Sequence, residues 1–193
     1  RTIAGQQDIS KQAIERGTGI DQFIIQDLIR GWHTTLDDQI INGDGTSGAM
    51  LGIRSTAGIN DITFTEASPT VALLYPKLAD AYQQVQTNVF QNPTHWIMHP
   101  RRLAFLLAAV DGSQRPLVVP TLNGPMNAIA TGTGPAVYGN SGYSMLGLPI
   151  IADANITTTA GAGSNQDQIY CVNANEMHLW EQAGSPFALN FDA

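Results

Sequence analysis

The chain has 193 residues and a formal net charge of -7, and only 13% of its residues are charged. A protein that reads nucleic acid needs a basic face to neutralise phosphates, and the only adjacent basic pair is Arg101 with Arg102. No apolar run is long enough to span a membrane, and no signal segment opens the chain. The composition therefore argues against sequence-specific nucleic-acid binding and against a membrane protein.

Two helices are predicted near the start. Ser10 can cap a short helix, SKQAIER, which ends at Gly17. From Asp21 onward, apolar residues recur at spacings of three and four while polar residues fill the other side. This pattern predicts an amphipathic helix that runs to Asn42, is about 30 Å long and ends at Gly43.

Glycines are concentrated directly after the long helix, in INGDGTSGAMLGI. Gly43, Gly45 and Gly48 have the G-x-G-x-x-G spacing that holds the pyrophosphate of a dinucleotide. That motif needs a strand before the glycines and a helix after them, whereas here a helix precedes them with the negative end of its dipole. The pattern therefore predicts a helix end and a tight turn, formed by Asn42, Gly43, Asp44 and Gly45.

Other catalytic and binding motifs are incomplete. Ala49 replaces the lysine of a P-loop, and the oxygen ligands of a calcium loop are missing. His95 and His99 lie in a predicted strand, where residues four apart are about 13 Å from each other, so we predict no metal site. Asp37 and Asp38 face different sides of a helix and are interpreted as a solvated edge at an interface. We predict no enzyme activity, no catalytic residues and no cofactor.

The middle of the chain predicts a mixed α/β layer. ITFTEA is typical of a short strand, and Pro76 is expected to open the main helix, PKLADAYQQVQTN, because proline disrupts a helix interior. HWIM predicts a buried strand, and Pro100 opens a third helix, RRLAFLLAAV, which Asp111 and Gly112 stop. Four residues of the main helix are predicted to face inward: Leu78, Ala81, Tyr82 and Val85.

The remainder predicts strands and loops. LVV, MLGLPIIAD, QIYCVN and MHLWEQ are typical of strands, and residues 123 to 142 and 157 to 166 predict mobile surface loops because they are poor in apolar side chains. The single cysteine, Cys171, permits no internal disulfide, which fits a reducing compartment. Its apolar neighbours predict a buried, unreactive thiol.

The order of these segments resembles the major capsid proteins of tailed bacteriophages, which share the Hong Kong 97 fold. The resemblance covers residues 9 to 192 and depends on the succession ISKQAIE, the long helix, INGDGTSGAMLGI, NPTHWIMHPRRLAFLLAAVDG, MLGLPIIAD and IYCVNANEMHLWE. It implies an α+β fold in which residues 1–55 belong to a peripheral domain with its spine helix. Residues 56–184 would form a mixed α/β axial domain, and residues 185–193 would begin a strand that returns to the peripheral domain.

The same resemblance implies a structural subunit that self-assembles into the pentamers and hexamers of an icosahedral shell. Such a shell is assembled in the cytoplasm of the bacterial host, becomes part of the virion and encloses DNA without reading its sequence. A scaffold, a maturation protease and a portal protein are the partners that it implies.

The resemblance also has departures. The family's N-terminal arm and extended loop would precede Arg1, and its closing strands would follow Ala193, so the chain is expected to be a fragment. Some relatives join subunits through a lysine of that loop, and neither Lys11 nor Lys77 matches it. Two alternatives remain open: the shell subunit of an encapsulin-type nanocompartment, and a small-molecule or dinucleotide-binding α/β enzyme domain.

Overall fold

A computed structural model describes most of the chain. The described residues are 3–10, 12, 17, 19–110, 113–114, 118–119, 130–132 and 142–180. The predicted helix SKQAIER falls largely outside them, and the returning strand predicted at residues 185–193 falls outside them entirely.

Three α-helices lie within the described residues: α1 (Ile20–Asn42), α2 (Val71–Val89) and α3 (Pro100–Leu107). Short 3-10 helices cover Ile53–Ser55 and Ala174–Glu176. The long helix predicted from its apolar spacing is confirmed, and its 23 residues make it about 35 Å long. The helix predicted from Pro100 is also confirmed, although it ends at Leu107 rather than at Asp111.

The start of α2 differs from the prediction, because Pro76 lies inside this helix rather than at its beginning. The hydroxyl of Thr70 caps the helix by accepting a hydrogen bond from Leu73 N at 3.3 Å. The first turn also buries Leu74, which is 5% exposed and belongs to the core. The cap and this burial offset the one backbone hydrogen bond that a proline removes.

The inward face predicted for α2 agrees with the structure. Leu78 is buried, Ala81 and Tyr82 pack against the core cluster, and Val85 is half-buried.

Across the part of the chain that the structure describes, six strands form one sheet in the order β2-β3-β4-β5-β1-β6. In chain order they are β1 (His95–Met98), β2 (Val118–Val119), β3 (Ala130–Gly132), β4 (Tyr143–Met145), β5 (Leu148–Ala152) and β6 (Ile169–Val172). Strand β1 pairs parallel with β5 and antiparallel with β6, so the sheet is mixed. The three helices and this sheet make the fold α+β.

Three strand predictions are confirmed and three need correction. HWIM, LVV and QIYCVN contain β1, β2 and β6. MLGLPIIAD is not one strand, because Leu146 and Gly147 adopt positive φ angles of 52° and 79° and turn the chain between β4 and β5. ITFTEA forms no strand, nor do residues 177–180 of MHLWEQ. The side chain of Phe64 in ITFTEA packs against the core, although the segment pairs with no strand.

The two segments predicted as loops also contain β-strand hydrogen bonding. Strand β3 lies within residues 123 to 142, where a loop alone was predicted. Within residues 157 to 166, Ala160 and Gln166 form an isolated bridge that closes the loop.

The core joins α2, α3 and the centre of the sheet. Its most buried members have no exposed surface: Trp96, Met98, Leu106, Met145 and Ile150. The indole N–H of Trp96 donates to the carbonyl oxygen of Met145 at 3.0 Å, so the buried ring leaves no polar atom unpaired. This centre anchors the loop that follows β5, because Asp153 N donates to Met98 O at 3.0 Å.

Replacement of Thr70 by alanine tests the start of α2. We expect Thr70→Ala to lower the free energy of unfolding by about 1 kcal/mol, because Leu73 N loses its cap. Thr87→Ala is the matched control, since Thr87 is exposed near the other end of the same helix. Urea denaturation measures both variants, and equal values would show that the cap does not set the helix start.

Candidate functional site at the end of the long helix

The end of α1 is closed by a contact that only glycine permits. Gly43 N donates to Gln39 O at 3.1 Å, and its φ of -53° is ordinary for any residue. Space is the constraint: a Cβ atom at Gly43 would overlap the carbonyl oxygen of Met50 and lie 2.5 Å from that of Gln39. The predicted turn residue is therefore required by close backbone approach rather than by a left-handed conformation.

The chain then folds back against the helix end. Gly45 N donates to Met50 O at 3.0 Å, and Gly52 N donates to Gly43 O at 2.9 Å. The carboxylate of Asp44 accepts both the backbone N–H and the hydroxyl of Thr46, at 2.8 and 2.7 Å. These bonds define the glycine turn, residues 43–52. A helix precedes this turn, and a three-residue 3-10 helix, Ile53–Ser55, directly follows it, so these residues do not have the strand-turn-helix geometry of a dinucleotide site.

Asn42 connects α1 to the sheet. Its Nδ2 donates to Asp38 Oδ1 and to Asn155 O, both at 2.7 Å. Asn155 donates in return from its Nδ2 to Thr34 O at 3.5 Å, a long bond, and its own N–H is held by Asp153 Oδ1 at 2.8 Å. We call this contact the helix–loop joint, formed by residues 33–42 of α1 and residues 153–157 after β5.

Apolar burial accompanies these hydrogen bonds. Ile41 precedes Asn42 and is 4% exposed, while Ile156 follows Asn155 and is 1% exposed. The joint thus combines polar bonds with buried aliphatic side chains, and removing water from such bonds strengthens them.

An open cleft of about 480 Å³ lies beside the joint. Its lining includes one acidic side chain, Asp38, and two basic ones, Arg54 and His99, together with residues 154–159. Charges of both signs thus converge on this cleft. Within the described residues, no three His, Cys, Asp or Glu side chains group as metal ligands would.

The two predicted acidic neighbours have different environments. Asp37 is exposed, whereas Asp38 is half-buried and held by Asn42. Partial burial and the nearby charge of Asp153 raise the pKa of Asp37, while His33 opposes that shift. Asp38 therefore belongs to the helix–loop joint, whereas Asp37 lies on the exposed edge that the sequence predicted.

The histidines considered as metal ligands have structural partners. His95 makes a ring nitrogen contact with the hydroxyl of Thr94 at 2.9 Å, and His99 Nδ1 accepts a hydrogen bond from Arg101 N at 3.0 Å. The second bond caps the start of α3. Cys171 lies in β6, and burial raises the pKa of its thiol to about 12.

One buried charge was missed by sequence reasoning. Asp167 has no exposed side-chain surface and forms ion pairs with Arg101, at 3.1 Å, and with Arg102. The basic pair was visible in the sequence, but its partner lies about 65 residues away and carries no local signal. These two ion pairs join α3 to the segment that leads into β6.

A family model for the phage capsid family matches residues 1–186, and the chain belongs to that family. This result confirms the resemblance to a bacteriophage major capsid protein. A comparison with curated proteins found no match. Across the described part of the chain, no helix is long and apolar enough to cross a membrane.

Gly43→Ala tests the close approach at the helix end. The added methyl group must displace the Met50 carbonyl, so we expect a loss of about 2 kcal/mol in the free energy of unfolding. Gly31→Ala is the matched control, because Gly31 lies in the same helix and a Cβ atom there meets nothing within 4 Å. It should stabilise the chain by roughly 0.5 to 1 kcal/mol. Equal effects in urea denaturation would contradict the packing argument.

The raised pKa of Cys171 predicts a protected thiol. We expect it to react with a disulfide reagent at about pH 8 far more slowly in the folded chain than in urea, because burial disfavours the thiolate. Since the folded pKa exceeds the unfolded one, stability should be constant below the unfolded pKa and fall as pH rises towards about 12. Equal labelling rates for folded and unfolded chain would show that the thiol is accessible.

Proposed function

We propose that the chain is part of a major capsid protein with the Hong Kong 97 fold. It would self-assemble into pentamers and hexamers of an icosahedral shell that encloses the phage genome. Membership of the phage capsid family is the observation that carries this proposal. The described α+β architecture is compatible with it.

The glycine turn supports a division into two domains. Residues 1–55, with α1 as the spine helix, would belong to the peripheral domain, and residues 56–184 would form the axial domain. The turn at residues 43–52 ends α1, and the core cluster is drawn from residues that follow this boundary. A helix about 35 Å long that is fixed at one end can act as a beam between neighbouring subunits.

The surface is suited to contact with other protein. Only 13% of the residues are charged, and three large aromatic side chains are mostly exposed: Phe23 at 71%, Phe90 at 90% and Trp180 at 89%. Exposed apolar groups on a surface of low charge are typical of interfaces. Many modest contacts of this kind, repeated around a shell, would together hold the subunits.

The expected partners follow from this role. A scaffold, a maturation protease and a portal protein would act during assembly in the host cytoplasm, and the finished shell would reside in the virion. The net charge of -7 fits an enclosed genome that is not bound by sequence. The role requires neither a cofactor nor catalysis by this chain.

Electron microscopy of the full-length gene product tests the proposal. Expression together with its neighbouring genes should yield closed icosahedral shells, with pentamers at the vertices and hexamers between them. Analytical ultracentrifugation should show the corresponding large species. Small oligomers alone under all assembly conditions would refute the proposal, and a shell filled with a cargo enzyme rather than DNA would favour a nanocompartment.

Phe90→Asn tests whether the exposed ring of Phe90 is needed for shell assembly rather than for folding. Phe90 has a φ of 58°, which asparagine tolerates better than phenylalanine does, so stability should be unchanged or slightly higher. Loss of the exposed ring should lower the yield of shells, while Thr87→Ala on the same helix should leave the yield unchanged. A normal yield from Phe90→Asn would show that this ring makes no contact that assembly requires.

A further inference from the structure

Asn42 and Gly43 form an Asn-Gly pair at the end of α1. Asparagine is a chemically labile residue, and a following glycine favours its deamidation because no side chain hinders the backbone nitrogen. In that reaction the glycine nitrogen loses its proton and forms a bond to Cγ of the asparagine, while Nδ2 leaves as ammonia. Water then opens the resulting succinimide ring at either carbonyl group and gives aspartate or isoaspartate. Water is the only other reactant.

The fold restrains both reacting groups of this pair. Gly43 N donates to Gln39 O at 3.1 Å, so the attacking nitrogen has its proton engaged in a hydrogen bond. Asn42 Nδ2 donates to Asp38 Oδ1 and to Asn155 O, both at 2.7 Å, which fixes the orientation of the amide. Asn42 is also the last residue of α1, and ring closure requires its backbone to leave the helical angles.

The surroundings oppose the reaction as well. Gly43 is buried, which limits the access of water and hydroxide to its nitrogen. Negative charge develops on Asn42 Oδ1 when the ring closes, and within the described residues this buried oxygen has no hydrogen-bond donor to stabilise that charge. Opening of the helix–loop joint would remove these restraints together, since it would expose the amide and free the end of α1.

We propose that Asn42 is a latent deamidation site: the intact helix–loop joint protects it, and opening of the joint permits a covalent change after which the joint cannot reform its bonds. An aspartate at position 42 would present a carboxylate to Asp38 Oδ1 and Asn155 O, which are both acceptors, with no proton to donate. An isoaspartate would lengthen the main chain beside Gly43, where even a Cβ atom would overlap Met50 O. The inference concerns chemistry within one chain and does not depend on the proposed shell.

Peptide mapping by mass spectrometry tests the protection. The chain is incubated in mildly alkaline buffer, either folded or in urea, and aspartate and isoaspartate at position 42 are separated by chromatography. Conversion should be at least about tenfold slower in the folded chain, because only molecules with an open joint react. Asn123 and Gly124, the other Asn-Gly pair of the sequence, provide the reference rate in urea. Equal rates at Asn42 in folded and unfolded chain would overturn the proposal.

A substitution in the joint tests whether its bonds provide the protection. Asp38→Ala removes the carboxylate that holds the Asn42 amide, so conversion in the folded chain should become several-fold faster. Asp27→Ala is the matched control, because it removes an equal charge from an exposed site on α1. A folded Asp38→Ala chain that reacts no faster than Asp27→Ala would contradict the proposal.

The consequence of the reaction has its own test, which does not require Asp38→Ala to fold. Asn42→Asp reproduces one product, and Asn42→Ala removes the same hydrogen bonds without adding a charge. Hydrogen exchange of residues 33–42 and 153–157 should be faster in Asn42→Asp than in Asn42→Ala at neutral pH, while peptides from α3 should be unchanged. Protection at the joint in Asn42→Asp equal to that of the unmodified chain would refute the irreversible step.

Discussion

The structure around α1 depends on one close approach, the passage of the Met50 carbonyl across Gly43. A side chain at that position would occupy the space that the returning backbone needs. Because the backbone does return, Gly45 N and Gly52 N can bond across the glycine turn and close it against the helix. The turn then leaves Asn42 as the last helical residue, with its amide aimed at the loop after β5. The direction of α1 relative to the sheet thus depends on the absence of a Cβ atom at Gly43.

The helix–loop joint links this local constraint to the core. Asn155 bonds α1 at two points, while Asp153 continues the pairing of β5 beyond its end through Met98. A force on the long helix would therefore reach the centre of the sheet through a few short connections. In a subunit of a phage capsid, such a connection would let contacts along the helix orient the rest of the chain.

Much of the fold was predictable because its signals are local. The spacing of apolar residues predicted α1, and the proline before Arg101 predicted α3 correctly. One error arose at Pro76, whose effect on the helix was offset by the cap at Thr70 and by the burial of Leu74 in the core. ITFTEA has a strand pattern but takes no place in the sheet, and its Phe64 packs against the core. For the site, Asn42 and Gly43 were assigned from the sequence, but their partners Asn155 and Met50 were not.

The sequence by itself determined the long helix, its end at a glycine and the order of segments typical of a phage capsid protein. These properties follow from periodicity, backbone freedom and motif order, which neighbouring residues specify. Only the tertiary structure decided that Asn42 meets Asn155 and that Asp167 lies between two arginines. Each of these contacts joins residues far apart in the chain, and its energy exists only after folding has removed water and brought the groups together.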